Sequence, residues 1–391
     1  MIGVPSSQPY SLDWSWPYWL PVPLYPYGQR RTLRQEVVPG KIWTFDQIQG
    51  IFYVVVPIRM TVVRLAAGGL LVYAPVAPTP ECLRLMQELV EQYGAVQHII
   101  LPTVSGLEHK VFVGPFARRF SSAQVWIAPH QWSFPLNLPL RWLGFPMQRV
   151  QVLPEQSADA PFADEFDYAM LGPIQLGLGP FAEVAFYHRA SHSLLVTDSV
   201  LSVPNDPPAV VQLDPFPLLF HAKDDALDNP PDTPANRRKG WWRIALFAFY
   251  FQPSALSVPG LAELIRDAFK APNRSKKAYF GLFPFRWNAS WQQSFAALHR
   301  DGQLFVAPVL QQLILNRAPQ TTLDWVERVA SWEFEQILPC HLESPIAADS
   351  EQFRRAFAFL RGQPDLPESD FEFLRELEAT LIRRGITPPT G

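Results

Sequence analysis

Two kinds of hydrophobic pattern run along this chain, and their periods predict different elements. From Val37 onward VVPGKIWTF, GIFYVVVPI and MTVVRLAAGGLLVYAPV are β-branched and aromatic runs that predict strands, with Gly68–Gly69 as a hairpin turn between two of them. The period then changes to that of a helix over about 81–93, which places Cys82, Leu85, Met86 and Leu89 on one face and ends at Gly94. A buried strand VQHIILPT (96–103), a short loop SGLEHK, a helix through VFVGPFARRF and a strand QVWIAP (124–129) follow. Further strands are predicted around 166–176 and 182–188, and SLLVTDSVLSV (193–203) predicts a buried strand that ends at an acid. Helices are expected over 258–270, 288–299 and 321–334, with 304–315 starting as a strand. A last strand and loop occupy 335–346, and a closing helix covers about 350–361. Strands followed by helices, twice over, suit an α/β fold of αββα type, two sheets face to face with helices outside.

Prolines and tryptophans change the picture at three places. The chain has 391 residues, 41 of them proline and 13 tryptophan, so many of its connections are rigid and irregular. Residues 1–36 read as an extended arm, since DWSWPYWLPVPLYPYGQRR alternates aromatics with prolines. Such an arm either presents polyproline-like segments to a partner or lays its aromatics on the parent domain. The main domain is expected over 37–362 with an insertion at about 204–300, and 363–391 reads as a partly helical tail. Within the insertion, 204–240 is rich in proline and charge and reads as a long excursion without a core.

Composition bounds the function. At 48% hydrophobic and 18% charged residues the chain can bury a large core, and a net charge of -3 leaves no basic excess for a nucleic-acid partner. Two cysteines, Cys82 and Cys340, imply no disulfide framework. The N-terminus lacks the pattern of a secretory leader, and a cytoplasmic protein is the expectation. No apolar run reaches the ~18 residues of a bilayer span. The nearest, 241–256, is interrupted by Arg243, Gln252 and Pro253 and reads as a buried helix or strand pair, with contact to a membrane surface as the alternative.

Three short segments, LPTVSGLEHK, LLVTDSV and ILPCHLESPI, place polar residues where a strand ends and a loop begins, the usual position of functional groups in α/β folds. Each also has an ordinary structural use. Glu108–His109 suits a helix N-terminus, Asp198 a turn, and His341 a hydrogen-bonded histidine beside a buried Cys340. His188 and His192 are spaced i, i+4 but fall in a predicted turn, where that spacing does not converge. His130 and His221 have no acidic or thiol neighbour in sequence. Lys110, Arg118 and Arg119 are candidates for an anionic group or for exposed helix charges. No dinucleotide, P-loop or nucleophile-elbow motif occurs.

In chain order, those three segments resemble the three metal-site slots of the metallo-β-lactamase superfamily, the H-x-H-x-D-H loop, the Asp after a hydrophobic strand and the final His. LPTVSGLEHKVFVGPFARRF, APHQWSFPLNLP, KGWWRIALFAFYFQPSAL, VAPVLQQLILNR and WEFEQILPCHLESPI further resemble a metallo-β-lactamase-like family of unknown function found in cyanobacteria and plants. Carried over slot by slot, the first-metal ligands fall on Val104, Gly106 and Gly179, none of which can bind a metal. The second-metal ligands fall on Glu108, His109, Asp198 and His341, all of which can. The resemblance thus implies half of a two-metal site. One ion (Zn, Mn or Fe) held by two oxygens and two nitrogens would polarise a carbonyl or phosphoryl oxygen, with Glu108 as ligand or base; the same four residues also make sense as a metal-free remnant. The functions this implies are a mononuclear hydrolase of an ester, lactone, thioester or phosphoester or a non-catalytic binding or assembly protein. The latter's protein partner, on the family's distribution, would lie in photosynthetic metabolism. A pocket for a hydrophobic small molecule such as a pigment or lipid is the third reading.

Overall fold

The computed structural model describes residues 11–19, 24–133, 137–364 and 366–389. The sequence readings for 1–10 and 20–23 of the arm therefore lie outside the described residues. Seven strands form one sheet in sequence order, β1 (Leu33–Val38), β2 (Ile42–Ile51), β3 (Val54–Arg64), β4 (Leu70–Tyr73), β5 (Val96–Leu101), β6 (Gln124–Ile127) and β7 (Val150–Val152). Pairing is antiparallel from β1 to β4 and parallel from β4 to β7, the change being made by helices α1 (Pro80–Tyr93) and α2 (Lys110–Arg119). The second sheet runs β14 (Ile346–Ala347), β13 (Gln336–Pro339), β10 (Ser193–Val196), β9 (Pro180–His188), β8 (Phe166–Gln175), with β10 parallel to β13. A small pair, β11 (Leu256–Ser257) and β12 (Arg286–Trp287), lies in the insertion.

The alternation of strand side chains explains the layering. Val62, Leu70 and Val72 pack outward with Met86 and Phe112 of α1 and α2, while Val63, Leu71 and Tyr73 point inward against Tyr168, Phe186 and Leu195 of the second sheet. The outer face of the second sheet is covered by α9 (Pro319–Val329) and α10 (Ser350–Ala356), where Trp325 donates its indole N–H to Ala169 O (3.1 Å). The layers are helix, sheet, sheet, helix, the αββα arrangement expected from the sequence. Gly68 and Gly69 both take positive φ in the turn before β4, and Thr79 caps α1, which Gly94 (φ 102°) ends.

The insertion departs from the excursion expected over 204–240. It is helical, with α3 (Ala209–Gln212), α4 (Phe216–Ala222) and α5 (Pro234–Tyr250) followed by α6 (Leu261–Lys270) and α7 (Trp291–His299). Val210, Val211, Leu218 and Phe220 are buried in one core with the second sheet's helices. The segment 241–256 is mostly the second half of α5, the buried helix that was the first expectation: Trp241, Ile244, Leu246 and Tyr250 are buried, while Phe251 just beyond the helix is exposed. The remaining helices are α8 (Pro308–Leu313), which contacts α5, and α11 (Glu372–Arg383) in the tail.

The β2–β3 hairpin reaches into this helical cap through a two-residue turn, Phe52–Tyr53, with φ of 51° and 62°. Asn-Gly usually fills such a turn, and an ordinary side chain there costs about 1–2 kcal/mol. Tyr53 offsets part of this through ring contacts at 5.1–5.2 Å with Phe216, Phe220 and Tyr279 and a hydrogen bond to Lys277 O (2.7 Å). Phe52 gains no such burial and is 60% exposed.

Candidate functional site

The C-terminal ends of β5, β10 and β13 open on one edge of the sandwich, which brings Glu108, His109, Asp198 and His341 together. His341 Nε2 lies 3.2 Å from Asp198 Oδ1 and 3.4 Å from Glu108 Oε1. The His109 ring centre is 6.4 Å from that of His341. Both imidazoles are held in the same way. His109 Nδ1 meets Pro75 O at 3.1 Å and His341 Nδ1 meets Pro57 O at 2.7 Å. A carbonyl only accepts, so each Nδ1 carries the proton, and the Nε2 of His341 is turned toward the carboxylates.

The two histidines differ in charge. Burial holds the His109 pKa down at about 4, with the nearby His341 charge adding to it. Its Nε2 is then a buried lone pair, and it has no hydrogen-bond partner. Burial alone would lower His341 as well, but the carboxylates of Glu108 and Asp198 outweigh it and raise that pKa to about 10. Burial raises the Glu108 carboxyl above its ordinary value against the pull of His341, whereas Asp198, despite burial, is lowered by its hydrogen bond to His341. Among the described residues no three His, Cys, Asp or Glu side chains already form a ligand cage. The cluster is closed instead by His341, whose Nε2 faces both carboxylates directly. The donor types would suit a divalent ion, and one observation bears on this: His109 Nε2 is buried and unpartnered, with its ring centre 6.4 Å from that of His341, whose Nε2 faces two carboxylates.

Residues not singled out in the sequence hold this arrangement. Arg59 on β3 grips Asp46 on β2 through two hydrogen bonds (2.7 and 3.1 Å) and donates to Pro339 O (2.8 Å) and Leu342 O (3.0 Å), fixing the His341 loop across the two sheets. Glu183 on β9, fully buried, accepts from Thr197 N (2.7 Å), Asp198 N (3.0 Å) and Ser199 Oγ (3.0 Å). It therefore satisfies the turn that Asp198 would otherwise cap, leaving the Asp198 carboxylate to His341. Burial and the neighbouring Asp198 push its own pKa up to about 7. Gln49 donates its amide to Glu108 Oε1. The signal for Arg59 and Glu183 was a charge inside a mostly apolar strand, whereas Asp46 lies among Thr44, Gln47 and Gln49 and gave no such contrast.

Several sequence candidates sit elsewhere. His109 is the residue preceding α2, but its side chain makes no cap hydrogen bond. Cys340 is buried between the sheets, and burial pushes its thiol well above the usual range. Lys110 is not an exposed helix charge; its ammonium is buried and donates to Val104 O and Trp132 O. His188 and His192 diverge, the first meeting Ser191 Oγ (2.7 Å) and the second Glu333 O (2.8 Å). Val104 is fully buried, and a Cβ on Gly179 would lie 2.3 Å from the Trp132 ring.

Glu108, Asp198 and His341, with Gln49, form the polar floor of a cavity of about 520 Å³ whose walls are apolar, among them Val54, Val56, Leu201, Phe247, Phe249 and Leu310; His109 lies behind this floor and does not line it. A wider cleft of about 870 Å³, lined by Trp14, Tyr25, Tyr27 and Tyr279, lies between the arm and the insertion and does not include the four residues.

Residues 39–359 match the family described as a domain of unknown function, DUF4336, and the chain belongs to that family. No curated protein matches in sequence. Among solved structures it is similar to a metal-soaked flavodiiron core from Synechocystis sp. PCC6803 (9% identity, TM-score 0.42, covering 85% of this chain and 61% of that one). It is also similar to a flavoprotein from Thermotoga maritima (11%, TM-score 0.44, 86% and 63%) and a metallo-β-lactamase from Pontibacter korlensis (12%, TM-score 0.37, 85% and 100%). The chain spans about three fifths of the length of the two flavoproteins. Likeness at this level carries no chemistry across.

Proposed function

We propose that this member of the DUF4336 family is a single-metal hydrolase acting on an ester, lactone, thioester or phosphoester with a large apolar portion. The carrying observation is a pair of imidazoles, each pinned through Nδ1 to a backbone carbonyl: His341 turns Nε2 to two carboxylates at the floor of an apolar cavity, and His109 keeps a buried, unpartnered Nε2 behind it. His109, Asp198 and His341 would hold the ion, with Glu108 as a fourth donor or as the base. When bound, a divalent ion of the Zn, Mn or Fe type supplies Lewis acidity toward a carbonyl or phosphoryl oxygen. The chain's own residues supply the rest. The Glu108 carboxylate, raised by burial and oriented by Gln49, accepts a proton from water. Arg59 and Glu183 keep the His341 and Asp198 loops at their separation. The apolar walls bind the substrate's hydrocarbon and keep bulk water from the polar floor.

Metal analysis of the purified full chain tests the premise. Stoichiometric Zn, Mn or Fe that is lost in His341→Asn and Asp198→Asn supports it, and sub-stoichiometric metal that reconstitution does not raise would sink it. In Glu108→Gln, retained metal with lost turnover of an acyl p-nitrophenyl ester marks Glu108 as the base, whereas loss of both marks it as a ligand.

One observation favours a second reading. A protonated His341 pairs with both carboxylates without any metal, so the cavity also suits a metal-free binder of a hydrophobic small molecule. Native mass spectrometry of freshly isolated chain would then show a co-purifying organic mass and no metal.

A further inference from the structure

The apolar side chains around the cavity mouth continue onto the surface. Helix α6 buries only Ala268, and Leu261, Ile265 and Phe269 stand exposed on it, Leu261 and Phe269 at 72% and 73%. At a spacing of i, i+4, i+8 the three fall within about 80° of arc, a single stripe. The opposite side of the helix is the attached one, where Asp267 and Glu263 pair with Arg286 (2.8 and 3.6 Å). The stripe has neighbours of the same kind. Phe280, exposed at 65%, belongs to the 276–281 turn that packs on α6, and Tyr279 of that turn touches Phe52 at 5.6 Å. Phe52 and Ile51, at the tip of the β2–β3 hairpin, are exposed and line the cavity. The apolar surface is thus continuous from α6 through the 276–281 turn to the mouth above Glu108 and His341.

Charge selects the occupant. Residues 258–287 hold six basic and two acidic side chains in a chain whose net charge is -3. The two acids are taken by Arg286 and Arg266, and Lys270, Arg274 and Lys276 stand exposed beside the stripe. Apolar side chains flanked by unpaired lysine and arginine suit a surface that is hydrocarbon beneath an anionic layer, where each basic group adds electrostatic attraction to the apolar insertion. No described helix is long and apolar enough to cross a membrane.

From these juxtapositions we infer that the α6 stripe, the Phe280 turn and the Phe52 tip dock the chain on the surface of an anionic bilayer, with the cavity mouth facing the lipid. The docking uses none of the residues at the polar floor and stands whether or not a metal is bound there.

Flotation of the full-length chain with phosphatidylcholine vesicles, with and without phosphatidylglycerol, tests it. The wild type is expected to float with the phosphatidylglycerol vesicles and to be released by high salt. Leu261→Glu, Ile265→Glu and Phe269→Glu together should weaken that binding by roughly tenfold or more while leaving the melting temperature unchanged, because all three side chains are already in water. Lys270→Glu, Arg274→Glu and Lys276→Glu together should abolish the preference for phosphatidylglycerol. A wild type that floats with neither vesicle overturns the inference, as does a triple-Glu stripe variant that floats like the wild type. Sedimentation showing a dimer that the stripe variant dissolves, with no flotation, would assign the stripe to a second copy of the chain instead.

Discussion

A guanidinium enclosed between two sheets needs an acceptor for each of its donors, and Arg59 has found them on both. Its carboxylate partner, Asp46, stands directly opposite in the β2–β3 register, and its other acceptors are carbonyls on either side of His341. Arg59→Met should therefore cost about 3–5 kcal/mol, since it leaves the Asp46 charge buried and two carbonyls unmet, and the loss would be read in urea unfolding. A variant as stable as the wild type would show that the clamp is dispensable. His221 gives a pH test away from the floor. Its Nε2–H donates to Phe52 O (3.0 Å) and its Nδ1 is buried without a partner. Burial, reinforced by the Arg243 charge nearby, lowers its pKa to about 4 from an ordinary value of 6.5. Above pH 6.5 both the folded and unfolded chains hold it neutral. Below that the unfolded chain gains a proton that the folded chain refuses, so stability falls by about 1.4 kcal/mol per pH unit until the folded group titrates. Unfolding midpoints taken from pH 6.5 to pH 4 should decline less in His221→Gln than in the wild type, and parallel declines would refute the assignment.

Helix α5 shows how an element can reverse a rule of local propensity. Glycine within a helix is ordinarily about 1 kcal/mol worse than alanine. At Gly240, however, a Cβ would sit 1.8 Å from Leu218 O on α4, so the two helices meet backbone to backbone. Gly240→Ala is expected to lower stability by about 1–3 kcal/mol instead of raising it, and a higher melting temperature in the variant would contradict the close approach. The same pair of helices marks where the fold was hardest to read. Strands with a clear period, such as β3 and β8, were legible along with the helix ended by Gly94. The stretch 204–240 was not, because its prolines look like breakers. Several of them start helices instead, as Pro217 in α4 and Pro234 in α5 do in the first turn, where a missing N–H costs nothing. The site divides similarly. Glu108, His109, Asp198 and His341 announced themselves as polar residues at strand ends. Arg59 and Glu183 lie within strands, and their partners, such as Pro339 for Arg59, are up to hundreds of residues away in sequence.

Across the whole molecule, a cavity with a charged floor and apolar walls sits where the sandwich edge meets the helical insertion. Ala248 on α5 lines that cavity without being part of its floor. Ala248→Trp should fill the space and reduce binding of an apolar fluorescent dye such as anilinonaphthalene sulfonate by roughly tenfold, with metal content unchanged. Equal dye binding would place the hydrophobic site elsewhere, for instance in the aromatic cleft beside the arm. The packing around Trp132 has a consequence for its neighbour as well. Its ring fills the space that a side chain at position 179 would need, its indole N–H is bonded to Pro180 O (2.5 Å), and its carbonyl accepts from the buried Lys110. A side chain at position 179 would meet an indole already seated, whereas the Trp132 carbonyl that Lys110 uses belongs to the backbone and does not depend on that indole. The indole therefore acts as a wedge that reserves this corner for glycine: any larger residue at position 179 has to push the ring, and with it the Pro180 contact, out of place.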